Sequence, residues 1–127
     1  MARWLWVWGP AGFVMGAIFI ASSLPDISLA IGGLSDVEAH SLAYGVLGMT
    51  MVRALADATW QGVTVSKVAS AVLLSTAYGF TDEVHQLFVP GRVAEIRDLF
   101  ADAVGAAVGV GLVWAWGIVL AAWRRAI

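Results

Sequence analysis

The sequence predicts an all-α integral-membrane bundle of four transmembrane helices, and three observations carry that expectation. Four separated apolar runs, about Trp4–Ser22, Ala39–Leu55, Val63–Phe80 and Leu99–Trp123, each approach the length that crosses hydrocarbon. The chain of 127 residues is 61% hydrophobic and only 13% charged, with a mean hydropathy of +0.85. A soluble domain this small cannot cover so much apolar surface. Almost every ionisable residue stands between or beside the runs rather than within them. With lipid as solvent, backbone groups must bond within their own segment, so helices are the expected elements.

The first helix should end around Ile20–Ser23, because Leu24 precedes Pro25 and is biased away from helical backbone. Arg3 followed by an apolar stretch resembles a leader, but no small-x-small cleavage site stands in a workable place. Trp4, Trp6, Trp8 and Pro10 suit a retained span. Asp26–Leu34, with Gly32 and Gly33, reads as a loop. The second helix has a clear start: Ser35 at N-cap and Glu38 three residues on form a capping box. It should fade near Asp57, with Ala58–Gly62 as the next loop. The third should begin between Val63 and Lys67 and extend past Asp82 and Glu83 to Phe88, stopped by Pro90 and Gly91. The fourth should begin between Val93 and Asp98 and reach Trp123. One domain over residues 1–127 is the simplest organisation.

Basic residues set the expected orientation. With the N-terminus inside, the inner segments hold Arg3, Arg53, Lys67, Arg124 and Arg125, and the outer ones hold Arg92 and Arg97. Trp4, Trp6, Trp8, Trp60 and Trp123 then fall near the inner boundary, as an aromatic belt would. Asp26, Asp36, Glu38, Asp82, Glu83, Glu95, Asp98 and Asp102 all come to the outer side, and only Asp57 is inside. An N-in, C-in protein of the bacterial inner membrane, its functional face outward, is the expectation. The absence of cysteine excludes disulfides, thiolate nucleophiles and thiolate metal sites. A net charge of −2 argues against nucleic acid as a partner.

The chemistry-bearing residues fall in stripes. The second helix has Asp36, His40, Tyr44 and Gly48, each four apart; the third has Ser75, Gly79, Asp82 and Gln86; the fourth has Asp98, Asp102, Gly105 and Gly109. Residues three or four apart share a face, and small residues on a face let helices approach closely. The three stripes are therefore expected to converge on one outward pocket, with Arg92 arriving from the Pro90-Gly91-Arg92 turn. A charge in hydrocarbon costs roughly 2.5–3.5 kcal/mol, so an acidic cluster there needs a reason. Several carboxylates close together cannot all stay ionised without a compensating cation.

Each residue also has a plainer reading. Asp36 complements a helix dipole, and Glu38 is a cap. His40 is a neutral, hydrogen-bonded core histidine, and Tyr44 is an interface anchor. His85 faces headgroups, Glu83 and Glu95 are solvated, and Arg97 snorkels. Arg92 makes a structural ion pair with Asp82 or Asp98. Against the whole of that reading stands economy, since a buried ion-pair network is often replaceable by apolar residues without loss of stability.

The pieces Ser22-Ser23-Leu24-Pro25, Asp36-x-x-x-His40-x-x-x-Tyr44, Asp82-Glu83-x-x-Gln86-x-x-x-Pro90-Gly91-Arg92 and Asp98-x-x-x-Asp102 run from about Ser22 to Gly109. Together they resemble the VanZ-like family, small membrane proteins named for a teicoplanin-resistance accessory protein. The resemblance implies an inner-membrane protein connected with glycopeptide tolerance or the cell envelope, and supplies no mechanism. Two positions depart from the usual pattern: Val37 replaces a lysine and Asp102 an asparagine. Both make this pocket more negative, which favours a bound cation or a protonated carboxyl.

Three function classes remain open. In the first, the chain is an enzyme on a lipid-linked envelope substrate. Asp36, His40, Asp82, Asp98 and Asp102 would then hold a divalent metal such as Mg²⁺, Mn²⁺ or Zn²⁺. His40 or Glu83 would act as base, and Arg92 would clamp a phosphate or carboxylate. A Ser41 or Ser75 nucleophile carries no mark of activation. In the second, the same nine residues (Asp36, His40, Tyr44, Asp82, Glu83, Gln86, Arg92, Asp98 and Asp102) bind an envelope component or the glycopeptide without turnover. Transport comes last, since four helices need oligomerisation for alternating access.

Overall fold

The structure is a computed structural model and describes residues 1–25 and 32–127. Four helices follow in chain order: α1 (Ala2–Ser22), α2 (Asp36–Leu55), α3 (Val65–Gln86) and α4 (Ile96–Ala126). Among the described residues there is no strand. The loop expected over Asp26–Leu34 falls largely on residues 26–31, so Asp26 lies outside the described residues.

Local chemistry explains each boundary. Ser35 accepts from the Glu38 amide at 3.2 Å, and the Glu38 carboxylate accepts from the Ser35 amide at 2.8 Å, so the capping box is complete. Thr64 caps α3 through the Lys67 amide. α3 stops at Gln86, two residues short of the expected Phe88. The chain instead tightens through Leu87 and Phe88 into a turn in which the Arg92 amide donates to the Val89 carbonyl at 3.1 Å. Pro90 and Gly91 fill its centre, and Gly91 takes φ +82°, the conformation that a type II turn demands and that glycine adopts without cost.

α1 and α4 are long and apolar enough to cross a membrane. Large apolar side chains stand exposed on all four helices, among them Phe13, Leu42, Leu73, Phe100 and Trp116. So broad an apolar exterior suits lipid and not water. Inside, Ile18, Tyr44, Leu47, Met51, Val52, Ala71 and Val110 form the core cluster.

The closest helix pair is α2 with α4, and glycine makes it possible. A Cβ on Gly105 would collide with the Ser41 carbonyl, and one on Gly109 with the Gly45 carbonyl. A Cβ on Gly48 would stand 2.7 Å from the Ala106 carbonyl oxygen. Ser41, Gly45 and Gly48 of α2 thus nest against Gly105, Ala106 and Gly109 of α4. This is the small-residue contact that holds helices together where no hydrophobic effect can.

At the end of the molecule rich in Arg and Trp, Pro10 shapes a second contact. Proline has no amide hydrogen, so the Trp6 carbonyl four residues earlier loses its helical donor. Arg53 of α2 replaces it: Nη1 donates to Trp6 O at 2.9 Å and to Val7 O at 3.1 Å, with the guanidinium 4.9 Å from the Trp6 ring centre. Asp57 pairs with Arg3 at the same end.

Candidate functional site

At the opposite end, the expected stripes come together. Tyr44, Ser75, Asp82, Glu83, Gln86, Asp98 and Asp102 are all buried. Asp102 on α4 is fully enclosed. It faces Gly79 of α3 so closely that a Cβ there would stand 2.6 Å from Asp102 Oδ2. His40 Nδ1 donates to Asp102 Oδ1 at 2.6 Å. A carboxylate acceptor fixes the hydrogen on Nδ1 and leaves the lone pair on Nε2, which stands 4.0 Å from Asp98 Oδ2. Glu83 Oε1 lies 3.9 Å from His40 Nδ1. Tyr44 stacks one turn below His40, rings parallel within 3° and centroids 6.1 Å apart.

Glu83 differs from the solvated residue of the plainer reading. It is 7% exposed, and its Oε2 accepts from the Glu95 amide at 3.0 Å, tying the start of α4 to the end of α3. Glu95 itself pairs with Arg97 at the surface, at 3.0 Å.

Arg92 arrives from its turn, but its partners are not Asp82 or Asp98. Nε donates to the Leu24 carbonyl at 2.7 Å and Nη2 to the Ala21 carbonyl at 3.0 Å. Ala21 lies in the last turn of α1 and Leu24 follows just beyond it, where a cation also meets the favourable end of the helix dipole. Nη1 faces Asp36 Oδ1 at 4.0 Å. Asp36, at the start of α2, is half exposed and stands at the rim. His85, expected at headgroups, turns toward α1: it stacks on Phe19 with centroids 4.5 Å apart and meets Ser23 Oγ at 3.0 Å.

His40 is also a wall of a cavity of about 460 Å³ between α1 and α2. Its polar end carries Asp36, His40, Asp82, Gln86 and Arg92. Its apolar side carries Phe13, Val14 and Ile18 of α1 with Leu42, Ala43 and Val46 of α2. The α1 contribution escaped sequence reasoning, because α1 has no polar stripe to mark the face it turns inward.

The electrostatics are lopsided. Among the described residues, no lysine or arginine comes within 4.0 Å of Asp82, Glu83, Asp98 or Asp102. Asp82 Oδ1, Glu83 Oε1, Asp98 Oδ1, Asp102 Oδ2, Ser75 Oγ and Tyr44 Oη are buried with no hydrogen-bond partner among the described residues. Unpaired buried polar atoms are costly, so this centre is poorly explained as a device for stability. Ligand atoms of His40, Glu83 and Asp98 lie within 4.8 Å of one another. The expected metal set of Asp36, His40, Asp82, Asp98 and Asp102 thus overlaps this cluster at His40 and Asp98. Glu83 joins it, while Asp36 remains at the rim.

An all-helical protein with an apolar exterior and a buried carboxylate–imidazole centre belongs to the membrane class. A family model described as VanZ/LLP1 matches residues 37–120, and the chain belongs to that family. The match spans α2, α3 and most of α4, the helices that build the buried centre, and begins after α1. No curated protein and no solved structure gave a significant match.

Proposed function

We propose that this VanZ/LLP1 protein is a single four-span domain of the bacterial inner membrane, both termini inside, that acts at the outer leaflet on a lipid-linked molecule of the cell envelope. The arrangement of basic residues supports the orientation: Arg3, Arg53, Lys67, Arg124 and Arg125 fall at one end, away from the acidic centre. Trp4, Trp6, Trp60 and Trp123 stand exposed at that same end, where an interfacial belt is expected.

The observation that carries the reading is the cavity. One end offers an imidazole, carboxylates, an amide and a guanidinium, and the other offers an aliphatic and aromatic wall. A molecule with a polar head and a hydrocarbon tail matches both environments at once. His40 joins the cavity to the buried centre, so a head group seated there meets the imidazole that Asp102 orients. Hydrolysis or group transfer at a phosphoryl or carbonyl centre is the chemistry such groups serve. Altering an envelope lipid would also account for the family's link with glycopeptide tolerance.

The test uses the purified chain in lipid nanodiscs with an envelope lipid extract, products being read by mass spectrometry. The wild type is expected to convert a lipid-linked species. Ala43→Phe, which fills the apolar end of the cavity, should abolish conversion without loss of folded protein. Lipid-dependent thermal stabilisation with no product would favour a binding module for an envelope component or antibiotic. Neither conversion nor stabilisation would remove the reading.

A further inference from the structure

We infer that His40, Glu83 and Asp98 hold a divalent transition-metal ion, with Asp102 as the residue that orients its imidazole ligand. The inference deepens the reading of this centre as the functional one. Its test needs no substrate, so it can fail while the lipid-linked reading stands.

The donor set is the first argument. One imidazole nitrogen and two carboxylate oxygens suit Mn²⁺ or Zn²⁺, and the lack of any thiol disfavours softer ions. The ligand atoms lie within 4.8 Å of one another. Ligands about 2.1 Å from one ion in a tetrahedral array stand about 3.4 Å apart. Side-chain rotations that bring the carboxylate oxygens inward by about 1 Å would therefore close the site.

The second argument concerns what the side chains lack. Asp98 is 2% exposed and Glu83 7%, yet Asp98 Oδ1 and Glu83 Oε1 have no partner among the described residues. Among the described residues, no arginine or lysine stands within 4.0 Å of either. Arg92 spends its Nε and Nη2 on the carbonyls of Leu24 and Ala21 and turns Nη1 to Asp36 instead. Two buried carboxylates that each keep one oxygen without a hydrogen bond, and that have no lysine or arginine beside them among the described residues, need either protons or an ion, and an ion also uses the oxygens left unpaired.

The third argument is the orientation of His40. Its Nδ1 donates to Asp102 Oδ1, so Nε2 carries the lone pair; Asp98 Oδ2 stands 4.0 Å from Nε2, whereas Glu83 Oε1 stands 3.9 Å from Nδ1 and must swing toward Nε2 to share the ion. A carboxylate behind a histidine, fixing its tautomer and raising its basicity, is the usual outer shell of a metal-bound imidazole. Asp102 is fully buried, with its second oxygen packed against Gly79, so its one hydrogen bond among the described residues is the one to His40.

The experiment strips the detergent-purified full chain with a chelator, reloads it with Mn²⁺ or Zn²⁺, and measures bound metal by elemental analysis. About one ion per chain is expected, together with a rise in thermal midpoint on loading. Asp98→Asn and Glu83→Gln should each lose stoichiometric metal, Asp102→Asn should weaken affinity about 10- to 100-fold, and Asp36→Asn should bind as wild type. Should the buried variants fail to fold, pulsed electron paramagnetic resonance of the Mn²⁺-loaded wild type decides: ¹⁴N modulation from one imidazole is expected. A reloaded wild type without stoichiometric metal, a Mn²⁺ spectrum without ¹⁴N, or metal held equally by Asp98→Asn and Glu83→Gln would each overturn the inference.

Discussion

His40 on α2 and Asp102 on α4 meet through a 2.6 Å hydrogen bond that spans 62 positions of the chain. The bond exists because the glycine and serine faces below it bring the two helices into backbone contact. Asp102→Ala would leave the His40 Nδ1–H without its acceptor in a buried place, a loss of about 1–3 kcal/mol. Asp102→Asn keeps an acceptor oxygen and nearly the same volume. It should fold with a thermal midpoint close to wild type. Thermal unfolding of the two variants in one detergent checks both expectations.

The α2–α4 contact makes a sharper prediction about side-chain size. Gly109→Ala places a methyl group against the Gly45 carbonyl, and helices that cannot separate locally lose about 1–3 kcal/mol. Gly111→Ala, on the same helix, meets nothing within 4 Å. It should be neutral or stabilising by up to about 1 kcal/mol through helix propensity. Chemical denaturation of the two proteins separates packing from propensity.

Arg53 acts as a substitute backbone donor for the carbonyl that Pro10 leaves open. Arg53→Met keeps the aliphatic stem and removes the donors, and should cost about 1–3 kcal/mol. Pro10→Ala restores the helical donor to Trp6 and should recover part of that loss in the double variant. A double-mutant cycle measures the coupling; strict additivity would show that Arg53 serves some other purpose.

Glu38 gives a pH prediction at the start of α2. Its hydrogen bonds with Ser35, backbone first and side chain second, hold its carboxyl below the ordinary value of 4.5. A carboxyl depressed in the folded state contributes stability above its unfolded value and loses it as pH falls. Amide exchange at Glu38 and Ala39, compared with residues in the middle of α2, should therefore accelerate below about pH 4.5. Glu38→Gln should remove most of that dependence.

The family membership and the four helices were legible in the sequence because their signals are local. The Ser35–Glu38 box, the Thr64–Lys67 start and the Pro90-Gly91 stop each act within a few residues. The convergence of Tyr44, Asp82, Gln86, Asp98 and Asp102 was legible because spacings of three and four mark a face. What the stripes could not give was partner choice. Arg92 was expected beside Asp82 or Asp98, yet the carbonyls of Leu24 and Ala21, 68 and 71 positions earlier in the chain, take two of its donors and Asp36 faces the third. Glu83 stands one position off the Asp82 stripe, so spacing left it open between a base in the pocket and a solvated residue. Burial came from the Glu95 amide reaching back across the turn, a contact with no sequence period. The cavity wall from α1 was equally silent, since Phe13, Val14 and Ile18 differ in no visible way from the lipid-facing residues beside them.

The most direct test of the central claim replaces His40 with glutamine, which retains a polar side chain and removes the imidazole. Folded protein is read by size-exclusion chromatography and thermal midpoint, and conversion of envelope lipids by mass spectrometry in the same preparation. Loss of conversion by about 10²-fold or more, with folded protein retained, is the predicted result. Conversion that persists at the wild-type rate in well-folded His40→Gln protein would contradict a functional centre at His40.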